Sequence, residues 1–467
     1  MSGLFTAFTR ILCAGLVLST PLTVYAMAKT PAARPNILLI VVDDMGFADL
    51  GSFGGEIDTP HLDRLALAGV RLTNFHVAPT CSTTRSMLLT GVDSHKAGLG
   101  NMLEELADNQ KGKPGYEGYL NDRVVTLPTL MRDAGYRTYM SGKWHLGLEE
   151  EQSPAARGFD KSFALTPGGA SHFADMRPAY APTPEAKAKY RQDGKLLQKL
   201  PENFNYSSQF YGDQLITYID EDKKSKQPFF AYLSFTAPHW PLQAPDDAIK
   251  KYAGRYDAGY DVLLERRLQK LKVLGLLPKS ATAGRRAPGA VPWNDLNNEE
   301  KKVHARAMEV YAAMIDQIDF HTGRLLDYLE KNGQLENTAI VFMSDNGPDG
   351  HDLDQTWPAD QFPKIRKVID ETHDFRYANM GKPGSYVLYG PNWARVGSPA
   401  FRWFKAFPTE GGSRVTAFVH YPKRYAGGAV NNGLASVKDI TPTVLEWTGV
   451  AHPGTRYQKR PIEPVTG

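Results

Sequence analysis

The sequence predicts an α/β fold built on a large, mostly parallel central sheet with helices on both faces. Three observations predict it. Asn36 to Val42 reads NILLIVV, a continuous β-branched apolar run of the kind buried on both faces of a parallel sheet. Stretches with helical periodicity alternate with such runs along the chain. Four of the runs end directly in ionisable or amide side chains, and open α/β sheets carry ligands at the carboxyl ends of their strands.

In chain order, the first run ends in Asp43-Asp44. A helix is signalled next, with Thr59 as N-cap and Pro60 at its first position; it runs through Leu62, Leu65 and Leu67 to a stop at Gly69. Thr84 to Leu89 reads as a helix preceded by Cys81. A helix from about Leu127-Pro128 ends at Gly135, and a strand over Tyr136 to Met140 leads into Gly142-Lys143-Trp144-His145. Phe229 to Phe235 (FFAYLSF) leads into Ala237-Pro238-His239-Trp240-Pro241. The stretch from 244 to 298 reads as an insertion. Within it Tyr260 to Leu277 is helical, with Arg266, Arg267, Lys270 and Lys272 expected on a solvated face. A long amphipathic helix carries Tyr311, Met314, Ile315, Ile318, Leu325 and Leu329 at three- and four-residue spacing. Ala339 to Met343 then leads into Ser344-Asp345-Asn346-Gly347. Residues 348–403 form a long rim loop, and its His351, Trp357, Tyr377, Tyr386, Tyr389, Trp393 and Trp403 are expected to build an apolar wall.

The two ends set the compartment. Residues 1–26 read as an export signal: Arg10, an apolar run over Ile11 to Val24, and a small-residue cleavage site at Val24-Tyr25-Ala26. The protein is therefore expected in the periplasm or secreted by a bacterium, with no stable membrane insertion once the signal is removed, since no later run is long and apolar enough to span. Cys13 leaves with the signal, so Cys81 remains alone and an intramolecular disulfide is impossible. Thr80, Ser82, Thr83, Thr84 and Arg85 surround it with polarity, which argues for a chemical role rather than an inert core thiol. The net charge of +3 and the lack of a basic run exclude an extended nucleic-acid surface.

The strand ends supply two sets of groups. Asp43, Asp44, Asp345 and Asn346 are hard oxygen ligands, suited to Ca²⁺ or Mg²⁺ rather than zinc. Lys143, His145, His239 and Arg85 form a cationic, acid–base set. Cations beside a divalent metal imply an anionic substrate with several oxygens, such as a sulfate or phosphate ester. A nucleophile at Cys81, ahead of a helix, gains from the helix dipole. A thiolate is nonetheless a poor partner for an oxygen-loving metal, and an oxygen at this position makes better chemistry.

These residues resemble the type I sulfatases, in particular bacterial arylsulfatases, of the alkaline-phosphatase-like superfamily. The resemblance runs from about Arg34 to the end of the chain and rests on PNILLIVVDDMGFADLG, CSTTRSMLLTG, GYRTYMSGKWHLG, TAPHWPLQAP, IVFMSDNG and WFKAFPTEGGSR. It implies a catalytic domain over residues 34–450 and hydrolysis of sulfate esters, aryl sulfates foremost, to an alcohol or phenol plus inorganic sulfate. It implies conversion of Cys81 to formylglycine (3-oxoalanine) by a formylglycine-generating enzyme. One hydroxyl of the aldehyde hydrate attacks sulfur, and the second expels sulfate. Asp43, Asp44, Asp345, Asn346 and the modified Cys81 would hold Ca²⁺ in preference to Mg²⁺, and Arg85 would stabilise the hydrate. Lys143, His239 and Lys405 would grip the sulfate, with His239 protonating the leaving alcohol and His145 deprotonating the second hydroxyl.

The chain departs from the family in two places. Thr83 stands where the modification signal C-x-P-x-R has proline, and threonine lacks proline's fixed φ. Residues 451–467 read as the start of a C-terminal small-sheet subdomain that the sequence does not complete, so apolar surface and poor solubility are expected. The alternatives left open are a phosphonate or phosphodiester hydrolase of the same superfamily and a silent sulfate-ester binder in which Cys81 stays a thiol.

Overall fold

Asn36–Val42 forms strand β1 in a computed structural model that describes residues 34–356 and 358–467. Its side chains alternate between two cores: Leu38, Ile40 and Val42 enter one, and Ile37, Leu39 and Val41 enter the other. That two-sided burial is why the run is continuously apolar rather than alternating. The export signal read over residues 1–26, and Trp357, lie outside the described residues.

The remaining strands of the central sheet are β2 (Val70–Leu72), β3 (Arg137–Lys143), β4 (Lys161–Leu165), β5 (Tyr190–Gln192), β6 (Lys195–Leu196), β7 (Phe229–Ser234), β8 (Thr338–Ser344), β9 (Ala417–His420) and β10 (Ala429–Asn431). The ten strands are ordered β10-β2-β9-β8-β1-β7-β3-β4-β5-β6. From β8 to β4 the neighbours are parallel, and antiparallel pairs lie toward both margins. The predicted fold class is therefore observed. The four strands whose ends carry chemistry are adjacent. Val42 stands opposite Ser344, and both Val41 and Gly142 stand opposite Ser234, so the four strands finish side by side at one edge.

Helices cover both faces. On one lie α1 (Pro60–Ala68), α4 (Ser207–Glu221), α5 (Tyr260–Val273) and the 34-residue α6 (Asn298–Lys331). On the other lie α2 (Cys81–Thr90), α3 (Leu127–Asp133) and the helix Ile440–Thr448. The start of α6 is fixed by a reciprocal capping box between Asn297 and Glu300. Its Tyr311, Met314, Ile315, Ile318, Leu325 and Leu329 are buried, as the spacing predicted. No helix of the described residues is long and apolar enough to cross a membrane.

Three expectations need correction. Thr59 holds the N-cap position before Pro60 as expected, but its side chain does not cap α1; its hydroxyl accepts from the Gly51 N–H, and Asp319 of α6 accepts the N–H groups of His61 and Leu62 at 3.3 and 2.7 Å. A carboxylate from a packed neighbour thus does the capping that sequence reasoning gave to the local hydroxyl. Arg267 does not belong to a solvated face. It is 1% exposed, bidentate to Glu56 at 2.8 Å through Nε and Nη2, and bonded to Asp49 through Nη1. The rim segment is not one open loop: it folds helices at Leu353–Thr356, Pro363–Thr372 and Gly390–Gly397 and turns several aromatics inward. Trp393 packs edge-on against Tyr256, Tyr260 and Trp293, and Tyr389 stacks on Tyr311.

Candidate active site

Two of the four strand ends present their chemistry from an unusual backbone conformation. Asp44 and His145 have positive φ, 71° and 57°, conformations uncommon for side-chain-bearing residues and concentrated at functional sites. Asp44 is held there by its N–H to Asp345 Oδ1 (3.3 Å) and by its carbonyl, which accepts from Tyr311 Oη (3.3 Å).

The predicted residues converge. Asp43 Oδ2 accepts from Lys143 Nζ at 2.6 Å, and Cys81 Sγ lies 3.4 Å from Asp43 Oδ1. Arg85 donates through Nε to Asp345 Oδ2 (2.8 Å) and through Nη1 to Ser234 Oγ (2.6 Å). Asn346 Nδ2 donates to Asp44 Oδ1 at 2.6 Å, and Lys405 Nζ donates to Asp44 Oδ2 at 2.9 Å. His239 Nε2 lies 3.7 Å from Asp44 Oδ2, while its Nδ1 donates to the Trp240 carbonyl at 2.6 Å. Asp43, Asp44, Cys81 and His239 each offer one ligand atom, all within 4.8 Å of one another, which makes a possible metal-binding group.

Burial dominates the electrostatics. It pushes Asp43 up to about 8 with help from the neighbouring Asp345 and Asp44, against Lys143 and Arg85; it pushes Asp44 up to about 6 against Lys405. Asp345 stays below its ordinary value because Arg85, Lys143 and Lys405 together outweigh its burial. Burial also pushes the Cys81 thiol well up, against the attraction of Lys143 and Lys405. The expected gain from the helix dipole is therefore overridden, and Cys81 as a thiol is not an activated nucleophile. Burial, Lys405 and Lys143 hold His239 well below its ordinary value.

Above this cluster opens a cavity of ≈ 320 Å³ lined by Cys81, His145, His239, Lys405, Tyr180 and Trp240, among others. Of the rim aromatics named from sequence that lie among the described residues, only His351 lines it. Its two largest aromatics, Tyr180 and Trp240, come from other segments. Three further residues were missed. Asp349 accepts from Trp240 Nε1 (2.8 Å) and His351 Nδ1 (2.8 Å) and lies 3.4 Å from Lys405 Nζ. His172 Nε2 donates to the His239 carbonyl (3.0 Å). Glu104 Oε1 lies 2.9 Å from His145 Nε2. Asp349 follows the Ser344–Gly347 strand end and could have been read from it. Glu104 lies in a segment, residues 99–119, with no period to flag it.

The sulfatase family model matches residues 35–450. An uncharacterized sulfatase of Schizosaccharomyces pombe is 46% identical over 449 residues, spanning 93% of this chain and 78% of its own. An arylsulfatase of Klebsiella aerogenes is 38% identical over 436 residues, spanning 93% of this chain and 90% of its own. The solved structure of Ps i-CgsB in complex with k-i-k-neocarrahexaose is similar with a TM-score of 0.60 at 25% identity, covering 90% of this chain and 73% of its own.

Proposed function

The chain belongs to the sulfatase family and is a sulfuric ester hydrolase; from that premise we propose that it is an exported, Ca²⁺-dependent arylsulfatase whose Cys81 is converted to formylglycine. The observation that carries the proposal is the convergence of three buried carboxylates, Cys81, two lysines and two histidines beneath one cavity.

The donor set fits a hard divalent cation. Asp43, Asp44 and Asp345 are buried together, and Asn346 Oδ1 is buried without a hydrogen-bond partner. A buried acceptor in that state is satisfied by a cation held among the carboxylates. Position 81 fits an oxygen better than a thiol: its side chain points at Asp43, and burial disfavours the thiolate. When present, the cation polarises sulfate oxygens and the formylglycine hydrate supplies the attacking hydroxyl together with a second one for release.

The chain's own residues do the rest. Arg85, anchored on Asp345, Ser234 and the Lys143 carbonyl, orients the side chain of residue 81. Lys143 and Lys405 supply fixed positive charge to the sulfate oxygens. His239 presents Nε2 to the cavity because its Nδ1 is tied to the Trp240 carbonyl. An anionic substrate beside it offsets the two lysines and favours the protonated form that donates to the leaving oxygen. His145 accepts a proton on the residue-81 side.

The test compares matched aryl sulfate and aryl phosphonate esters, using Ca²⁺-loaded protein from the native host. Faster turnover of the sulfate ester is expected. Preference for the phosphonate, or no turnover of either, overturns the arylsulfatase reading.

A further inference from the structure

His145 is a base only if one ring nitrogen is free, and the residues around it decide which. Its Nε2 lies 2.9 Å from Glu104 Oε1. An ionised carboxylate only accepts, so Nε2 carries the proton and the lone pair is left on Nδ1. Nδ1 is buried without a hydrogen-bond partner, and His145 lines the same cavity as Cys81 and His239. A buried acceptor left unpaired costs about 1–3 kcal/mol, so its survival points to a reacting group as its partner.

Glu104 is suited to the task. Its side chain is only 19% exposed, and although burial raises its pKa, His145 holds it at about 2. Tyr180 also hydrogen-bonds to it. The backbone at Gly168, just after β4, closes over the pair. A Cβ there would lie 2.7 Å from Glu104 Oε1, 2.9 Å from His145 Cε1 and 3.0 Å from His145 Nε2. At the adjacent Gly169, a Cβ would lie 3.2 Å from His239 Cε1. Two consecutive glycines thus let one backbone segment press against both histidines. The other charged groups that bear on His145 are Lys143 and Arg85, and Glu105 neighbours Glu104 on the cavity wall.

We infer that Glu104 is the positioning residue of His145: it fixes the Nε2–H tautomer, turns Nδ1 toward residue 81, and offsets the imidazolium formed when Nδ1 accepts a proton. Gly168 is the gap that allows the pair to form. The inference rests on the proposed role of His145 in sulfate-ester hydrolysis.

The test uses the full chain with E104Q, E104D, H145A and E104Q/H145A. E104Q is expected to lower kcat on an aryl sulfate about 10²-fold, the lower range for one acid–base group, with KM within about twofold. E104D is expected to recover part of the loss, and E104Q to add no loss to H145A. A second readout needs no turnover: ¹⁵N NMR of histidine-labelled protein with Cys81 still a thiol should show the His145 Nε2–H tautomer alone, with the Nδ1–H tautomer mixed in for E104Q, whose amide can donate as well as accept. If E104Q fails to fold, G168A, whose added Cβ wedges Glu104 and His145 apart, gives the same two readouts. Parental kcat and an unchanged tautomer in E104Q overturn the inference, as does additive loss in the double variant. Parental turnover in H145A removes the proposed role of His145 instead, and the NMR result then still decides whether Glu104 sets the tautomer.

Discussion

Two buried charge clusters begin in the same loop after β1 and behave oppositely. At the strand ends, Asp43 and Asp44 are raised to about 8 and about 6 by burial, and Asn346 Oδ1 lacks a partner. A few residues on, Asp49 and Glu56 grip Arg267, and there Glu56 is lowered because Arg267 outweighs its burial. Tyr256 and Tyr311 complete that second cluster by donating to Glu56 and Asp49. Arg267 and Asp49 are as deeply buried as the strand-end acids, so burial alone does not mark function. The difference is satisfaction. The Arg267 cluster is closed within the chain, whereas the strand-end cluster keeps two carboxylates whose ionisation burial opposes and an acceptor with nothing to accept from.

The largest effect expected from breaking this contrast is at Asp345. D345A should abolish Ca²⁺ binding by calorimetry and lower turnover at least about 10³-fold, on the scale expected for lost electrostatic stabilisation. Retained turnover would remove the metal assignment. R267M should act on the other cluster and on stability, because it strands the buried Asp49 and removes the partner of the partly exposed Glu56. A loss of about 3–5 kcal/mol in urea unfolding is expected, with KM of the folded enzyme unchanged. A variant as stable as the parent would show that this cluster does not hold α5 to the β1 loop.

A pH series sharpens the comparison further. Folded-state pKa values raised above 3.8 mean that the metal-free protein binds more protons folded than unfolded up to about pH 8. Stability from these groups is therefore fully present below about pH 4 and lost as pH rises through 6 and 8. Glu56 has the opposite sign: its contribution is present above 4.5 and lost as pH falls below it. Ca²⁺ affinity, measured by calorimetry, should rise by up to about tenfold per pH unit between 6 and 8 as bound protons are displaced. A flat profile would contradict the raised carboxylates. The smallest effect is expected at Asp319, where D319N should weaken the cap on α1 by about 1 kcal/mol in thermal unfolding, leaving turnover unchanged.

What was legible in the sequence follows from the same physics. A strand buried on both faces must be apolar throughout, so NILLIVV and its three companions announced themselves, and the polar residues ending each run stood out against them. The pairing of residues distant in sequence was not legible. Arg267 sits in a helix whose other basic residues are largely exposed, and its partners Asp49 and Glu56 lie more than 200 positions away. Glu104 has no periodic context, and its importance emerges only where Gly168 presses on His145. The aromatics of residues 348–403 looked like a wall because composition does not reveal which side of a folded segment faces the core.

The strand-end cluster makes chemical sense when position 81 carries oxygen rather than sulfur. Peptide mass spectrometry across Leu72 to Arg85, on protein from the native host, asks this directly despite Thr83 in the modification signal. An aldehyde in place of the Cys81 thiol is the expected result. An intact, alkylatable thiol throughout the population would contradict formylglycine catalysis in this chain and leave the cluster a binding site without its nucleophile.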